Sequence, residues 1–511
     1  MLDTTLAKSW LQSLLELPGT ANAHHLLTRP HSSSPSSLPR YPPLAILTFL
    51  MPVSLQALLL HPIFPRAIST PARLLLLPLG FSYAARSSFD YGFEPREVSV
   101  GVNFVVGVMG AYAIMKSLIT FNFPYAALEF AFVQDLSPYT WVGFDERGYT
   151  RQHSLAETSS KNGHGKPSKV DPTRQRKEQL ETLRRKAAEN DSPVQILSWT
   201  LHLLVSMRGI GWAFGPPPRC SARPHPMSHV KYLRRVLLDL VWSHCTLVTC
   251  SYIILTPHST RAIAIARHFP SLSVARVESL AFSCAALSLG VAALAGLTLG
   301  FTCASLMLFT LTGLLRIILP TRLRPPPFDP RQYPQLFQIR LPTSVAKFWS
   351  EQWHYFFARP FKVLGYEPTM AIVSPILGKT IAQVAAVIAV FAISAWLHEH
   401  ALWSALHTFH ISNPAHLPWT TRWGSIIYFL SQGVGVVVEG VFTSMTKRKV
   451  GKTLGAVWTL FWIAAPGVLL SSCWLEMGIA QGIPRPQHWQ GPWRYVIPIA
   501  TLFPGPLWST Q

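Results

Sequence analysis

The chain has 511 residues, of which 49% are hydrophobic and 13% are charged. Soluble domains carry about 25% charged residues, so this composition argues against an ordinary soluble protein. The net charge is +21, but it does not lie on a folded basic domain, which argues against nucleic-acid binding. Much of it lies in two polar stretches between apolar runs, Arg147–Lys186 and Arg322–Lys379.

Residues 1–43 form an N-terminal segment with an amphipathic pattern over Met1–Pro18, followed by a Ser- and Pro-rich linker. Asp3 and the lack of a basic n-region argue against a cleavable signal peptide. We therefore expect Met1–Pro18 to be a short helix that lies on the membrane surface.

Apolar runs of about 20 residues predict membrane-spanning helices in the rest of the chain. The strongest runs are Val98–Thr120, Val236–Leu255, Ser279–Ile317, Ile381–Leu402, Ile426–Phe442 and Leu454–Leu475, and weaker ones are Leu44–Leu60, Arg73–Ala85, Val194–Phe214 and Val496–Leu507. Ser279–Ile317 is about twice as long as one span, so we expect a helical pair that turns near Gly296 or Gly300. The pattern predicts an all-α polytopic membrane protein with about eight to eleven transmembrane helices.

The order of these runs divides the chain into segments. Residues 44–142 are predicted to be N-terminal transmembrane helices, 143–193 a largely disordered basic cytosolic loop, and 194–511 the transmembrane core; helix in the loop is expected only near Arg174–Glu189. Basic loops favour the cytosolic side, so both basic stretches are expected there. An even number of spans must then separate them. Three strong spans are predicted between them when Ser279–Ile317 is counted as two, so either Val194–Phe214 also crosses or one of the three is re-entrant.

Aromatic residues recur at helical spacing in Lys347–Lys362, namely Trp349, Trp353, Phe356 and Phe357. This pattern predicts an amphipathic helix that lies at the membrane interface, with tryptophans at headgroup depth. Glu351 and His354 fall one helical turn apart in the same segment. An imidazole and a carboxylate beside aromatic residues indicate either a pocket or a plain interfacial anchor.

His398 follows the apolar run Ile381–Leu397, whose polar members are Gln383 and Ser394. Ionisable residues in such runs usually face a protein interior or a water-filled cavity, and they often mark a reaction path. The Ser394 hydroxyl, four residues earlier, is expected on the same helical face. Glu399 and the next histidine are expected at the helix end, near water.

Several other site types are excluded by spacing. Position 402 is leucine, so His398-Glu399 does not begin the H-E-x-x-H pattern of a zincin. No serine lies in G-x-S-x-G, and no phosphate-binding glycine loop follows a strand pattern. The six cysteines form neither a C-x-x-C pair nor a ligand array. We therefore predict no metal site.

The two histidine segments resemble those of a known family. Ser344 through His354 resembles the S-L-x-x-F-W-G-R-x-W-H signature of wax synthase-like acyltransferases, which belong to the wider membrane-bound O-acyltransferase group. Ser394–Glu399 resembles their S-G-x-x-H-E segment, which holds the catalytic histidine of that group. Arg208–Trp212 resembles an R-G-I-G-W element of the fungal branch, and Gln432 with Glu439 fits a later Q-x6-E pattern.

The chain departs from these patterns at a few positions. Ser350 and Glu351 stand in place of Gly-Arg, and Ala395 stands in place of Gly. Glu351 and His354 fall instead where diacylglycerol acyltransferases carry the Asp and Asn of F-Y-x-D-W-W-N. These differences leave the length of the acyl donor open.

The resemblance implies a many-helix membrane fold in which a tunnel reaches His398 from both sides. It also implies transfer of an acyl group from acyl-CoA to a hydroxyl, with acyl-CoA as co-substrate and no bound cofactor. Fungal members of the branch often acetylate terpenoid or meroterpenoid metabolites, which favours acetyl-CoA and a hydrophobic alcohol from the bilayer. The family also favours the endoplasmic reticulum. Long-chain wax ester synthesis is the alternative within the family.

The resemblance also suggests roles for individual residues. His398 is predicted to be the general base, and His354 to orient the thioester or stabilise its carbonyl oxygen. Substrate-contacting positions are predicted at Trp349, Trp353, Glu351 and Ser394. Cationic positions predicted to attract the CoA phosphates are Arg340, Arg359 and Lys362.

Two interpretations from other classes stay open. A transporter would use buried His and Glu residues as a proton relay, with Glu439 as the main candidate. A non-catalytic membrane scaffold would bind CoA without turnover.

Overall fold

The computed structural model describes residues 43–90, 123–133, 136, 138–142, 172–189, 191–206, 208–215, 228–321, 324–337, 341–353, 356–408, 417–448 and 452–476. Eleven longer helices occur in this part of the chain. They are α1 (Pro43–Leu58), α2 (Arg66–Asp90), α3 (Phe123–Phe132), α4 (Pro172–Ala188), α5 (Pro193–Val205), α6 (His229–Leu255), α7 (His258–His268), α8 (Val274–Ile318), α9 (Glu367–Thr408), α10 (Gly424–Thr446) and α11 (Lys452–Glu476). The described residues contain no β-strand, and an isolated bridge joins Trp141 to Trp212.

Five helical segments of the described chain are long and apolar enough to cross a bilayer: His229–Leu255, Val274–Ile318, Ala358–His400, Gly424–Thr446 and Thr453–Glu476. The chain is therefore an all-α polytopic membrane protein, as the composition predicts. The total of about eight to eleven spans stays a prediction. The predicted spans Val98–Thr120 and Val496–Leu507, and the surface helix Met1–Pro18, lie outside the described residues.

The expectation of a helical pair in Ser279–Ile317 is wrong, because α8 is a single helix of 45 residues. Its length is about 68 Å at 1.5 Å per residue. No proline interrupts the helix, and a chain in lipid must keep its backbone groups bonded, so its glycines remain helical. The helix is supported first by α7, where Ala262 contacts Ala281, and then by α6, where Tyr232 donates to Ser305 at 2.9 Å.

This continuous helix changes the count of spans between the two basic stretches. Of the described helices that lie between Arg147–Lys186 and Arg322–Lys379, α6 and α8 are candidate spans. The number is even, as placement of both stretches on one side requires. Of the two alternatives left open by the sequence, a crossing of Val194–Phe214 as one helix is not seen, since α5 ends at Val205 after 13 residues.

A sharp break at Gly378 divides α9 into two arms, residues 367–377 and 379–408. Gly378 has φ 79° and ψ 164°, which favours glycine. Along a straight helix Gly365 and Val390 would be about 38 Å apart. Instead, a Cβ on Gly365 would lie 3.3 Å from the Val390 Cα. The chain therefore folds back at Gly378, and the second arm carries His398.

The N-terminal helices α1, α2 and α3 pack together with α5. Its core includes Val53, Phe130 and Trp212, all fully buried. Arg73 of α2 is 1% exposed, and its Nη1 donates to the Phe130 carbonyl at 2.5 Å. The guanidinium thereby satisfies a carbonyl at the end of α3 that has no partner within its own helix.

The helix expected near Arg174–Glu189 is present as α4 and is docked on this group. Leu180 is 6% exposed, and its carbonyl accepts from the Thr140 hydroxyl at 3.4 Å. Arg66 of α2 forms an ion pair with Glu181 at 2.5 Å.

Candidate active site

Residues 344–353, called the Trp349 segment below, do not form the continuous amphipathic helix that their aromatic spacing predicts. Ser344 caps a short helix, Val345–Lys347, which leads into a π-helical turn, Phe348–Gln352. The turn ends where the Trp353 N–H donates to the Phe348 carbonyl at 2.8 Å and the Trp353 backbone becomes extended. A π-turn inserts an extra residue into the helical repeat, which breaks the expected face and is frequent at functional sites.

The aromatic residues of this segment nevertheless lie together. The ring centroids of Trp349 and Trp353 are 5.7 Å apart in an edge-to-face arrangement. Phe337, from the preceding loop, lies 4.9 Å from Trp353. Such pairs contribute about 0.5–1.5 kcal/mol beyond the burial of their surface. Glu351 is half-buried in the π-turn, whereas His354 lies outside the described residues.

His398 lies on the second arm of α9, and its Nδ1 is 2.7 Å from the Ser394 carbonyl oxygen. A carbonyl accepts hydrogen bonds and cannot donate, so Nδ1 must carry the proton. In the neutral ring, Nε2 is then the proton-accepting nitrogen. Ser394 therefore orients His398 through its carbonyl, whereas the sequence pattern directed attention to its hydroxyl.

Phe429 of α10 brings the two histidine-containing segments together. Its ring stacks on His398 with centroids 3.9 Å apart and planes inclined by 25°. Phe429 also contacts Trp349, and the centroids of these two rings are 6.2 Å apart. Ala395, one turn before His398 in the same arm, packs in the cluster that contains Phe429 and Trp349. The structure thus places Trp349 and His398 around one aromatic side chain.

A family comparison covers the two segments that contact Phe429, although not Phe429 itself. Residues 333–420 match the model of the membrane bound O-acyl transferase family. The matched segment contains Trp349 and His398, and it supports this family and a membrane acyltransferase activity. Comparisons with curated proteins and with solved structures found no significant match.

Glu399 is buried, contrary to the expectation that it lies near water at a helix end. The second arm continues past it to Thr408, and its side chain is 9% exposed. Its Oε1 pairs with Nη1 of Arg422, which is 13% exposed and lies just before α10. Arg422 is a residue that sequence analysis missed, because nothing local distinguishes it from a surface arginine.

Two polar residues of α10 face the Trp349 segment. Gln432 is fully buried and accepts from the Trp349 indole N–H at 3.2 Å, while its Nε2 donates to the Trp462 carbonyl at 2.6 Å. Glu439, seven residues on, accepts hydrogen bonds from Ser344 and from the start of the short helix. Seven residues are about two helical turns, so both side chains project from one face of α10.

The cations predicted to attract CoA phosphates lie in different environments. Arg359 has an 11% exposed side chain and forms an ion pair with Glu129 of α3, and its guanidinium lies 4.4 Å from the centre of the Phe214 ring. The predicted role of Arg359 in attracting CoA phosphates requires an accessible positive charge. Because the Arg359 side chain is buried and paired with Glu129, it does not provide one. Lys362 is 62% exposed and lies 3.4 Å from Glu367. Arg340 lies outside the described residues.

The Arg208–Trp212 element is a turn that contacts the beginning of the matched segment. Gly209 and Gly211 have positive φ, at 64° and 85°, and a Cβ on Gly211 would lie 2.2 Å from the Trp141 ring. Arg208 donates to the carbonyls of Pro334 at 2.9 Å and Gln335 at 3.0 Å. Burial, together with the nearby charge of Arg235, lowers the pKa of Arg208 to about 10. The two carbonyl bonds offset part of this desolvation.

Proposed function

We propose that the chain is an acyl-CoA-dependent O-acyltransferase that moves an acetyl group from acetyl-CoA to a hydroxyl of a hydrophobic metabolite. Terpenoid or meroterpenoid alcohols are the proposed acceptors, and the endoplasmic reticulum the proposed membrane. The family match supports acyl transfer. The acetyl donor, the acceptor class and the compartment rest on the resemblance of the sequence motifs.

The observation that carries the proposal is the orientation of His398. Its Nδ1–H is held by the Ser394 carbonyl, which leaves Nε2 to accept a proton. A neutral imidazole in an apolar span suits a general base, and such help is typically worth about 10² to 10⁴ in rate. The Ser394 carbonyl also stabilises the imidazolium that forms when Nε2 takes a proton.

The proposed reaction is a direct attack without a covalent enzyme intermediate. The acceptor O–H gives its proton to His398 Nε2 while its oxygen forms a bond to the thioester carbon. The carbon–sulfur bond then breaks, and the CoA thiolate takes the proton back from Nε2. His354 is assigned to the carbonyl oxygen, where a positioned donor stabilises the developing negative charge.

The proposed substrate-contacting roles of Trp349 and Trp353 follow from their location near Phe429 and His398. Trp349 and Trp353 would shape the apolar wall beside the reacting groups, since their rings form a continuous edge-to-face pair. Glu351 is proposed as a polar contact from the π-turn. Of the predicted cations, Lys362 has the exposure needed to attract CoA phosphates at long range.

The test compares His398→Ala with His268→Ala in microsomes supplied with labelled acetyl-CoA and a panel of terpenoid alcohols. His268 is a matched control, because it is exposed and its Nδ1 also bonds a carbonyl four residues back, Ala264, at 2.8 Å. We expect His398→Ala to lower turnover at least about 100-fold and His268→Ala to leave it unchanged. Wild-type turnover in His398→Ala would refute the general-base assignment.

Donor length is measured in the same preparation by competition between acetyl-CoA and palmitoyl-CoA. Preference for palmitoyl-CoA with a long-chain alcohol would replace the acetyltransferase proposal with wax ester synthesis. Saturable CoA binding without turnover of any alcohol would favour a non-catalytic scaffold.

A further inference from the structure

Glu439 lies outside the matched family segment, yet its carboxylate contacts the beginning of the Trp349 segment at three points. Oε2 accepts from the Ser344 hydroxyl at 2.8 Å and from the Ala346 N–H at 3.2 Å, and Oε1 accepts from the Val345 N–H at 2.7 Å. All three partners are donors, and both oxygens of Glu439 act as acceptors.

These bonds satisfy donors that a helix cannot satisfy internally. The first N–H groups of a helix have no intrahelical acceptor, and an anion at that end is also favoured by the helix dipole. Ser344 caps the same end by accepting from the Lys347 N–H at 3.3 Å. Glu439 and Ser344 together therefore fix where the segment starts and in which direction it runs.

The same segment is held again one helical turn further on. Gln432 connects the Trp349 indole N–H to the Trp462 carbonyl of α11, so its amide orientation is set at both ends. Close backbone contact adds a third restraint, because a Cβ on Gly455 of α11 would lie 2.4 Å from the Thr343 carbonyl oxygen. Helices α10 and α11 thus form the surface on which this segment rests.

The surface also carries the partner of the second histidine segment. Phe429, which stacks on His398, is ten residues before Glu439 on α10, a distance of about 15 Å along the helix axis. A rigid α10 therefore sets the separation between His398 and the Trp349 segment. A shift of about 1 Å in such a separation is enough to cost about 100-fold in rate.

We infer that Glu439 is a positioning residue for acyl transfer, acting through the Trp349 segment rather than on the substrate. The inference rests on the proposed function for its catalytic consequence, while the restraint on the segment stands independently. In this role Glu439 keeps the same three hydrogen-bond donors, whereas a carboxylate that relays protons must exchange partners.

The sharpest variant is Glu439→Gln, which keeps the shape but offers one acceptor oxygen where the carboxylate offers two. The amide oxygen takes the place of either Oε1 or Oε2, so at least one of the three donors faces the amide NH2 group and loses its acceptor. Glu178→Gln is the matched control, since the Glu178 side chain is exposed on α4. Both variants are purified as full chains in nanodiscs and assayed for donor and acceptor kinetics.

We expect Glu439→Gln to lower kcat by about tenfold to 100-fold, with the KM for acyl-CoA changed less than about threefold. Hydrogen exchange followed by mass spectrometry provides a readout that does not need activity. Whichever oxygen is replaced, the amide of Val345 or that of Ala346 loses its acceptor and is expected to exchange at least about tenfold faster, while amides in the middle of α10 keep their rates. Glu178→Gln should change neither measurement.

Wild-type kcat in Glu439→Gln would overturn the positioning role, whatever the exchange rates. A lower kcat with unchanged exchange at Val345 and Ala346 would also overturn it, because the effect would not pass through the segment. If the wild-type chain transfers no acyl group at all, the proposed function fails. Exchange in the variant then still decides whether Glu439 restrains the segment.

Discussion

Replacing Arg422 with methionine is expected to destabilise the chain strongly, because it removes the guanidinium that pairs with Glu399. The two side chains are 13% and 9% exposed, so the pair is shielded from water. Removing one partner of a buried pair typically costs about 3–5 kcal/mol. The guanidinium also lies 4.2 Å from the centre of the Trp423 ring, a contact worth about 0.5–1 kcal/mol. We therefore expect a loss of about 4 kcal/mol.

The decisive comparison is a double-mutant cycle with Glu399→Gln. Each single variant leaves one buried charge, Glu399 or Arg422, without its ion-pair partner, whereas the double variant removes both charges. The double variant should therefore be more stable than Arg422→Met alone, with a coupling energy above about 2 kcal/mol. Unfolding is measured by SDS titration of the purified protein in mixed micelles, with thermal inactivation of the folded protein as a second probe.

An exposed ion pair supplies the control for this cycle. Lys362 and Glu367 are 62% and 49% exposed, so Lys362→Met with Glu367→Gln should couple by less than about 1 kcal/mol. Additive effects at Arg422 and Glu399, within about 0.5 kcal/mol, would show that their contact carries no energy and would refute the reasoning.

Two further predictions test the fold. Spin labels at the exposed positions Leu287 and Leu311 should lie about 36 Å apart in a continuous α8 by double electron–electron resonance, whereas a turn near Gly296 would bring them within about 20 Å. Gly211→Ala should lower stability by at least about 2 kcal/mol, because its φ is 85° and a Cβ would meet the Trp141 ring. In the same SDS titration Gly440→Ala should be neutral or stabilising by up to about 1 kcal/mol, since a Cβ there meets nothing within 4 Å.

The length of the apolar runs was sufficient for the candidate spanning helices of the described residues but not for the way in which they turn. The runs beginning at Val236, Ile381, Ile426 and Leu454 are all helical, because about 20 apolar residues in lipid have few other ways to satisfy their backbone. Length alone suggested a turn inside α8, and nothing local predicted the reversal at Gly378. Reversals depend on which neighbouring helices are present, and a single run does not contain that information.

The candidate site shows a similar division. His398 was found because a lone imidazole in an apolar run is costly and needs an explanation. The contacts of His398, Glu399 and Arg359 were harder to find, because their respective partners, Phe429, Arg422 and Glu129, are distant in sequence. Arg359 shows the consequence: its sequence neighbourhood suggested an accessible cation, but its contact with Glu129 requires the fold of α3.

The contacts of Glu439 bear on the choice between an enzyme and a transporter. A relay carboxylate must exchange protons along a path, which requires a neighbour that can alternate between donor and acceptor. Two of the three donors to Glu439 are backbone N–H groups of Val345 and Ala346, which cannot give up their protons. The third, the Ser344 hydroxyl, donates to Glu439 and accepts from the Lys347 N–H, so it is fixed as part of the helix cap. A carboxylate in this setting anchors a segment, so the ionisable residue that first suggested transport instead supports the site built around His398.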